Sequence, residues 1–376
     1  MDTALNTNQV PTIVIDARMA QAMNHGIAKY VSLMAQGLAL CQKKKNLGYQ
    51  PVFLVNSNSS KNFFSFDTVQ VHSRFLSPSE IFEIPSVLKR VGAAAYHSPS
   101  FSSLWSCPVP YLITIHDLIH LRYGSFTDRL YYRFLLKPFA KKAKQIVTVS
   151  DFSKKELSTW LEVPEEKIKV VWNALEDKVE SGTARSDFFK NRNLQPGRYF
   201  ICLGNQKPHK NLELLFSAYQ DYRQECVKKN IDPWPLVVTL PEESLRIKTQ
   251  GILPSGKLPS SQIAELLKKA GGLLSPSLQE GFGLPPTEAA AEGVSLAVSD
   301  IPPHREALID LSPSEALWVP PTEKSRWTQA FEILHQKGIT PPSSESQRKI
   351  RERFSIKRIG EDMDQLYGSV LGLKPS

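Results

Sequence analysis

The chain has 376 residues, 41% of them hydrophobic and 22% charged, and carries a formal net charge of +9. That length and composition describe a globular protein of two domains, each able to bury its own core. The positive balance favours anionic partners; with no RNP-like aromatic motif, zinc finger or basic heptad region it points away from nucleic acid and leaves acidic lipid or a phosphorylated small molecule.

The opening MDTALNTNQV is polar and carries no apolar signal core, and no run of about 18 apolar residues follows, so a cytoplasmic protein, soluble or peripheral, is expected. PTIVIDAR predicts a buried strand from Thr12 to Asp16. After a short loop the pattern turns helical, with Ile27, Tyr30, Val31, Met34 and Leu38 recurring at helical intervals. Further strands are expected in PVFLVNS, AAAYHS, PYLITIHD and KQIVTVSD, each followed by a polar turn or a helical segment. Helices are expected around Thr127 in FTDRLYYRFLLKPFAKKAKQ and after Ser150, an N-cap candidate. This alternation implies an α/β fold with a parallel, doubly wound sheet.

From Asp177 to Gly197 the chain is polar and broken by Gly, Pro and Asn, which places a first domain over residues 1–180 and a second over 195–354. The second runs through the strand RYFICLGN, the helix NLELLFSAYQDYRQ, the strand PLVVTL, the helix SQIAELLKKA and the strand GGLLSPS. The alternation repeats, but the sequence does not. A last helix, about 355–371 with Ser355 as its N-cap candidate, lies beyond this series and is free to pack back on the first domain. Four cysteines and eight histidines are scattered without CxxC or HxxxH spacing, so neither a disulfide framework nor a structural metal site is indicated. Two doubly wound domains facing each other would open a cleft at the carboxyl ends of both sheets, where ligands bind in open α/β folds.

The chemistry concentrates in QEGFGLPPTEAAAEG, Gln279 to Gly293. GGLLSPS ends a strand, LQEGFGL is the loop at its carboxyl end, and PPTEAAAEG is a helix with Pro285 or Pro286 at its first position and Gly293 at its C-terminal cap. Such a helix start offers free N–H groups and a positive dipole end, suited to a phosphate or a sugar oxygen. Gly281 and Gly283 let a ligand approach the backbone. Glu288, about one turn into the helix, also fits a plain dipole role. Glu280, in the loop, has no capping role and is the more diagnostic acid.

QEGFGLPPTEAAAEGVSLAVSDIPPHREAL resembles the signature of retaining GT-B glycosyltransferases of family 4, whose two glutamates are separated by seven residues. IVIDARMAQAMNHGIAKYV, ITIHDLIHL and GNQKPHKNLELL are similar to three further segments of that family, and the resemblance covers roughly residues 12 to 340. It implies two Rossmann-like domains facing across a cleft and a nucleotide-sugar donor. Glu280 would face the sugar and Glu288 the ribose, with Phe282, Gly283 and Leu284 supplying backbone contacts. Gly26 would lie close to the donor phosphates, His116 would be the active-site histidine, and Lys210 would neutralise the diphosphate with help from Asn205.

Many members carry an arginine where this chain has Gly204 to Lys207. The second positive charge is therefore open, with Lys207 a poor positional match and His209 the other candidate. His25, His97 and Ser150 are further candidates for lining the cleft, whereas His72, His120 and His335 read as structural. Arg305 and Glu306 match a downstream pair with no assigned role.

By the same resemblance the reaction retains anomeric configuration through front-face attack, without a cofactor. No metal is expected, since no DxD-like pair occupies a strand-end loop. The DIPPHREAL continuation resembles mannosyl-transferring members and tilts the donor towards GDP-mannose, with UDP-sugars open. The acceptor class is a glycan or a lipid-linked glycan. RLYYRFLLKPFAKKAKQ mixes aromatic, leucine and basic residues: it suits either contact with an anionic membrane at its inner face or packing on the first sheet with a solvated basic face. Two other classes share the architecture: a protein that binds a nucleotide sugar without transfer, and a sugar-nucleotide epimerase.

Overall fold

Ile13, Val14 and Ile15 are fully buried, as a strand covered by helices on both faces requires. The computed structural model describes residues 10–21, 26–56, 65–177, 189, 192, 194–241, 249–256 and 258–373. The chain divides into one unit of Met1–Ala174 with Phe354–Ser376 and another of Leu175–Arg353. The division precedes the polar stretch expected to mark it, of which residues 178–188 lie outside the described residues.

The first unit is built on seven parallel strands: β1 (Thr12–Asp16), β2 (Gln50–Val55), β3 (Asp67–Gln70), β4 (Ala93–Ser98), β5 (Tyr111–Thr114), β6 (Gln145–Thr148) and β7 (Ile168–Val170). Their order is β3-β2-β1-β4-β5-β6-β7. Helices α1 (Gly26–Lys44), α2 (Glu80–Arg90), α3 (Ile119–Tyr123), α4 (Phe126–Tyr131), α5 (Lys137–Lys142) and α6 (Asp151–Leu161) connect them. Order reverses between β1 and β4, and a crevice opens at the carboxyl ends of strands at such a switch point.

Three elements here were not expected from the sequence. Strands β3 and β7 are short edge strands with exposed positions, and α2 carries Pro85 in its interior, which reads locally as a helix breaker. The basic aromatic segment is not one helix. A π-helical turn, Tyr132–Leu136, joins α4 to α5 and delivers Pro138 to the first turn of α5, where its missing N–H is tolerated. Ser125 and Asp128 form a capping box ahead of α4, and Ser150 Oγ accepts from the Ser153 N–H to cap α6.

The second unit has six parallel strands: β8 (Phe200–Cys202), β9 (Leu236–Val238), β10 (Ile252–Pro254), β11 (Gly272–Ser275), β12 (Leu296–Ser299) and β13 (Leu317–Val319). Their order, β10-β9-β8-β11-β12-β13, reverses between β8 and β11. Helices α7 (Leu212–Lys228), α8 (Ser260–Lys268), α9 (Leu284–Ala291), α10 (Pro302–Ala307), α11 (Lys324–His335) and α12 (Ser344–Arg353) complete it. One face of the sheet buries an aromatic cluster of Phe200, Tyr219, Tyr222, Trp234 and Phe331.

The last helix, α13 (Ile356–Leu371), is capped by Ser355 and packs on α1 in the first unit. The two helices cross at Gly37 and Gly360 so closely that a methyl at Gly37 would sit 2.5 Å from the Ile356 carbonyl oxygen. Tyr49 donates to Asp364 (3.0 Å), which also takes Lys45 Nζ (2.9 Å), fixing the helix rotationally.

Candidate functional site

The second unit brings its predicted residues together at the β8/β11 switch point. Beyond β8, a 3₁₀ turn, Pro208–Lys210, leads into Asn211, which takes the left-handed conformation (φ 54°) before α7. The Asn211 amide donates to the Pro276 (3.2 Å) and Pro321 (2.7 Å) carbonyls, and the Leu278 N–H donates to the His209 carbonyl (2.7 Å). These bonds tie the loop after β8 to the loop after β11. Lys210 Nζ thereby lies 2.6 Å from Glu280 Oε1, and Ser277 Oγ donates to the same oxygen at 2.6 Å.

Glu280 is 8% exposed. Burial alone would raise its pKa, but the Lys210 charge, then His304, then the hydrogen bonds from Lys210 and Ser277 bring it below the ordinary carboxylate value. The group is a carboxylate at neutral pH, and both bonds go to Oε1, which leaves Oε2 to accept from a ligand.

The turn after Glu280 is set by Gly283, whose φ of 105° is closed to most side chains. The Gly283 carbonyl accepts from both Thr287 Oγ1 (2.8 Å) and the Thr287 N–H (3.3 Å), and Pro285 and Pro286 have no N–H, so the amide that the first turn of α9 can offer a ligand is that of Leu284. Leu284 opens α9 with Pro285 behind it, a shift of one from the expected start, and Gly293 (φ 72°) follows its end. Phe282 is buried, Leu284 half-buried, and Glu288 half-buried on α9.

The other sequence candidates of this unit separate. His209 is buried in its 3₁₀ turn, whereas Lys207 is exposed and donates its N–H to the Asn205 side chain (3.3 Å). Asn205 is exposed at that turn. Arg305 clamps Asp300 bidentately (2.7 and 2.9 Å) and lies 3.8 Å over the Trp318 ring, which accounts for it structurally.

In the first unit, Gly26 opens α1 after β1, and among the described residues beyond its neighbours and its own helix a Cβ there would meet nothing within 4 Å. His116 follows β5; its Nε2 donates to the Pro99 carbonyl (3.1 Å) and its ring stands edge-on to Tyr30 at 4.8 Å. His25 lies outside the described residues.

Two lesser candidates are placed elsewhere. His97, fully buried on β4, has both nitrogens engaged, Nδ1 with Tyr367 (2.7 Å) and Nε2 with Thr114 (2.8 Å), and burial pushes it down to about 3. It is a neutral brace under α13 and presents no atom to a ligand. Ser150 likewise spends its buried hydroxyl on the α6 cap. His120 and His335 each bond a tyrosine hydroxyl, as structural histidines do, but His72 is exposed.

Sequence reasoning missed Ser277 and His304. Ser277 stands three residues before Glu280, a spacing with no recognised meaning, and His304 is a lone histidine in DIPPHREAL. A groove of about 530 Å³ in the first unit, between Phe82, Pro85 and Lys89 on α2 and Trp105, Ser106 and Pro108, contains none of the candidates and no carboxylate or histidine, so the chemistry is assigned to the switch-point loops. Among the described residues no group of three or more His, Cys, Asp or Glu side chains is placed to hold a metal ion, and no helix is long and apolar enough to cross a membrane.

Two family models match the chain, one in each half. Residues 26–178 match the family Glycosyltransferase Family 4, and residues 184–353 match Glycosyl transferases group 1. The O-antigen chain mannosyltransferase RfbU of Salmonella typhimurium is 29% identical over 235 residues, which is 60% of either chain. A serotype-specific mannosyltransferase of Escherichia coli, WbdA, is 25% identical over 58% of this chain and 29% of its own length. The chain thus matches less than two thirds of either relative. Among solved structures, a glycosyltransferase from Rickettsia africae superimposes with a TM-score of 0.69 at 16% identity, covering 96% of this chain and 98% of that one. WaaG, a glycosyltransferase involved in lipopolysaccharide biosynthesis, does so with 0.68 at 12% identity over 94% and 99%. Anabaena HepE in complex with UDP and glucose gives 0.65 at 13% identity over 96% and 100%.

Proposed function

Because the chain belongs to the glycosyltransferases that join a Family 4 first half to a Group 1 second half, we propose that it moves a hexose from a nucleotide diphosphate sugar to a glycan or lipid-linked acceptor with retention of configuration. The observation that carries this reading is the pairing of Lys210 with Glu280 at the β8/β11 switch point, beside the Leu284 N–H that opens α9. A leaving diphosphate needs cationic and N–H partners, and a developing oxocarbenium ion needs its hydroxyls held. Lys210 and the Leu284 N–H at the start of α9 supply the first, and Glu280 Oε2 the second. Glu288 is assigned to the ribose, and His116 and Gly26 are the first unit's assigned contributions.

In the proposed reaction the acceptor oxygen bonds to the anomeric carbon on the face from which the phosphate departs. The bond from that carbon to the phosphate oxygen breaks, and the acceptor's proton passes to the leaving phosphate. No metal and no cofactor are assigned a role. The mannosyltransferase relatives and the DIPPHREAL segment support GDP-mannose over UDP-sugars as the donor.

The exposed Phe126, Leu130 and Phe134 recur every fourth residue through α4 and the π turn, beside Arg129 and Arg133. Such a stripe suits the interface of an anionic membrane, where a lipid-linked acceptor would reside.

The test is incubation with UDP-, GDP- and ADP-sugars while nucleotide release is followed. One donor should be hydrolysed slowly, and faster when acceptor glycan is added, with the α or β configuration of the donor kept in the product. An isomerised sugar still attached to its nucleotide, or binding without release, would overturn the assignment.

A further inference from the structure

His304, in α10 just beyond β12, is fully buried. Its Nδ1 lies 2.9 Å from the Ser299 carbonyl oxygen, which can only accept, so Nδ1 carries the proton. Burial pushes the imidazole below its ordinary pKa; Glu280 and the Ser299 bond oppose this and Lys210 adds to it, with a neutral ring as the result. Nε2 is then a bare lone-pair acceptor.

Among the described residues that acceptor has no hydrogen-bond partner. An unpaired buried polar atom costs about 1–3 kcal/mol, and a leucine would fill the space without that penalty. The ring's free edge borders the turn after Glu280: a methyl on Gly283 would lie 2.8 Å from Cδ2 and 3.4 Å from Nε2. Gly283 is therefore glycine for two reasons, its positive φ and the histidine beside it. The charged groups acting on the ring are Glu280 and Lys210, the two residues assigned above to the sugar and the diphosphate.

We propose that His304 Nε2 accepts a hydrogen bond from a hydroxyl of the transferred sugar, next to the hydroxyl taken by Glu280. Of the parts of a nucleotide sugar brought to this turn, a phosphate offers only acceptors and is rejected by a lone pair, whereas a hexose hydroxyl donates. His304 thus distinguishes the sugar from the bare nucleotide. The inference rests on the donor reading given above.

The experiment is calorimetric titration of the wild type, His304→Asn and His304→Gln with GDP-mannose, UDP-glucose, GDP and UDP, together with thermal melting of each unliganded protein. His304→Asn keeps a donor near the Nδ1 position but has no atom where Nε2 lies; His304→Gln places a polar group there. The expected result is an approximately tenfold loss of affinity for the nucleotide sugar in His304→Asn, the worth of one neutral hydrogen bond. Affinity for the matching nucleoside diphosphate should stay within about twofold, and His304→Gln should recover part of the loss. Thermal melting confirms that each unliganded variant is folded at the titration temperature, so that a loss of affinity is read from folded protein. Equal weakening of sugar nucleotide and nucleotide, or unchanged affinity for both, would overturn the inference while leaving the donor site standing. A wild type that binds none of the four probes would overturn the donor reading and this inference with it.

Discussion

Lys210 Nζ and Glu280 Oε1 meet at 2.6 Å across 70 residues of sequence, each from the loop that follows one of the two strands flanking the second sheet's switch point. The contact places a cation for a departing diphosphate beside a carboxylate for a sugar before any ligand arrives. Both side chains are largely buried, so their partnership is also structural. Removing one partner leaves an uncompensated charge: Lys210→Met should lower stability by about 3 kcal/mol, and adding Glu280→Gln should restore most of it without restoring activity. Urea denaturation of the single and double variants checks this; a single variant as stable as the wild type contradicts it.

Gly26 gives the opposite signature. Among the described residues beyond its chain neighbours and its own helix, nothing lies within 4 Å of a Cβ at this position, so none of them demands glycine there. Gly26→Ala should melt no lower than the wild type, while turnover of the nucleotide sugar should fall by about tenfold or more if a phosphate packs on that backbone. Parallel melting and rate measurements separate the two effects.

The crossing of α1 and α13 should be the most sensitive structural point of the first unit. Alanine at Gly37 would bring its methyl to 2.7 Å from the Gly360 Cα. Neither backbone can yield without separating the helices, so Gly37→Ala should destabilise by roughly 2–3 kcal/mol, the upper range for overpacking. Chemical denaturation reads it directly.

Acid sensitivity should trace in part to His97. Folded, the ring is held neutral down to about 3, whereas unfolded it protonates near 6.5. Its contribution is therefore fully present above about pH 6.5 and is lost progressively as pH falls from there towards 3. His304 and His335, also lowered chiefly by burial, add in the same direction. The melting temperature of His97→Gln should consequently fall less between pH 7 and pH 5 than that of the wild type.

Much of this architecture was legible in the sequence because parallel strands buried on both faces are continuous apolar runs: TIVID, AAAYHS and GLLS announce themselves. The edge strands β3 and β7 do not, since an edge needs few apolar residues, and Pro85 disguises α2. The loop glutamate was readable from its glycines and the helix behind it. Its environment was not: Ser277 reaches Glu280 within one loop at a spacing with no recognised meaning, and His304 comes beside it only when β11 and β12 lie side by side, a relationship that no spacing along one strand encodes. His97 misled for the converse reason. A strand-end histidine reads as facing a ligand until a helix from the far end of the chain is seen to cover it.

The claim that Glu280 holds the sugar during transfer is tested most directly by the initial rate of Glu280→Gln beside the wild type, with the donor identified from the nucleotide-sugar panel and with acceptor saturating. Glutamine keeps the size of the side chain and removes its charge, and circular dichroism can confirm that both proteins are folded. A fall of about a hundredfold or more in the transfer rate, with nucleoside diphosphate affinity nearly kept, is the predicted result. A variant that is folded and transfers sugar at close to the wild-type rate would contradict the assignment of this site.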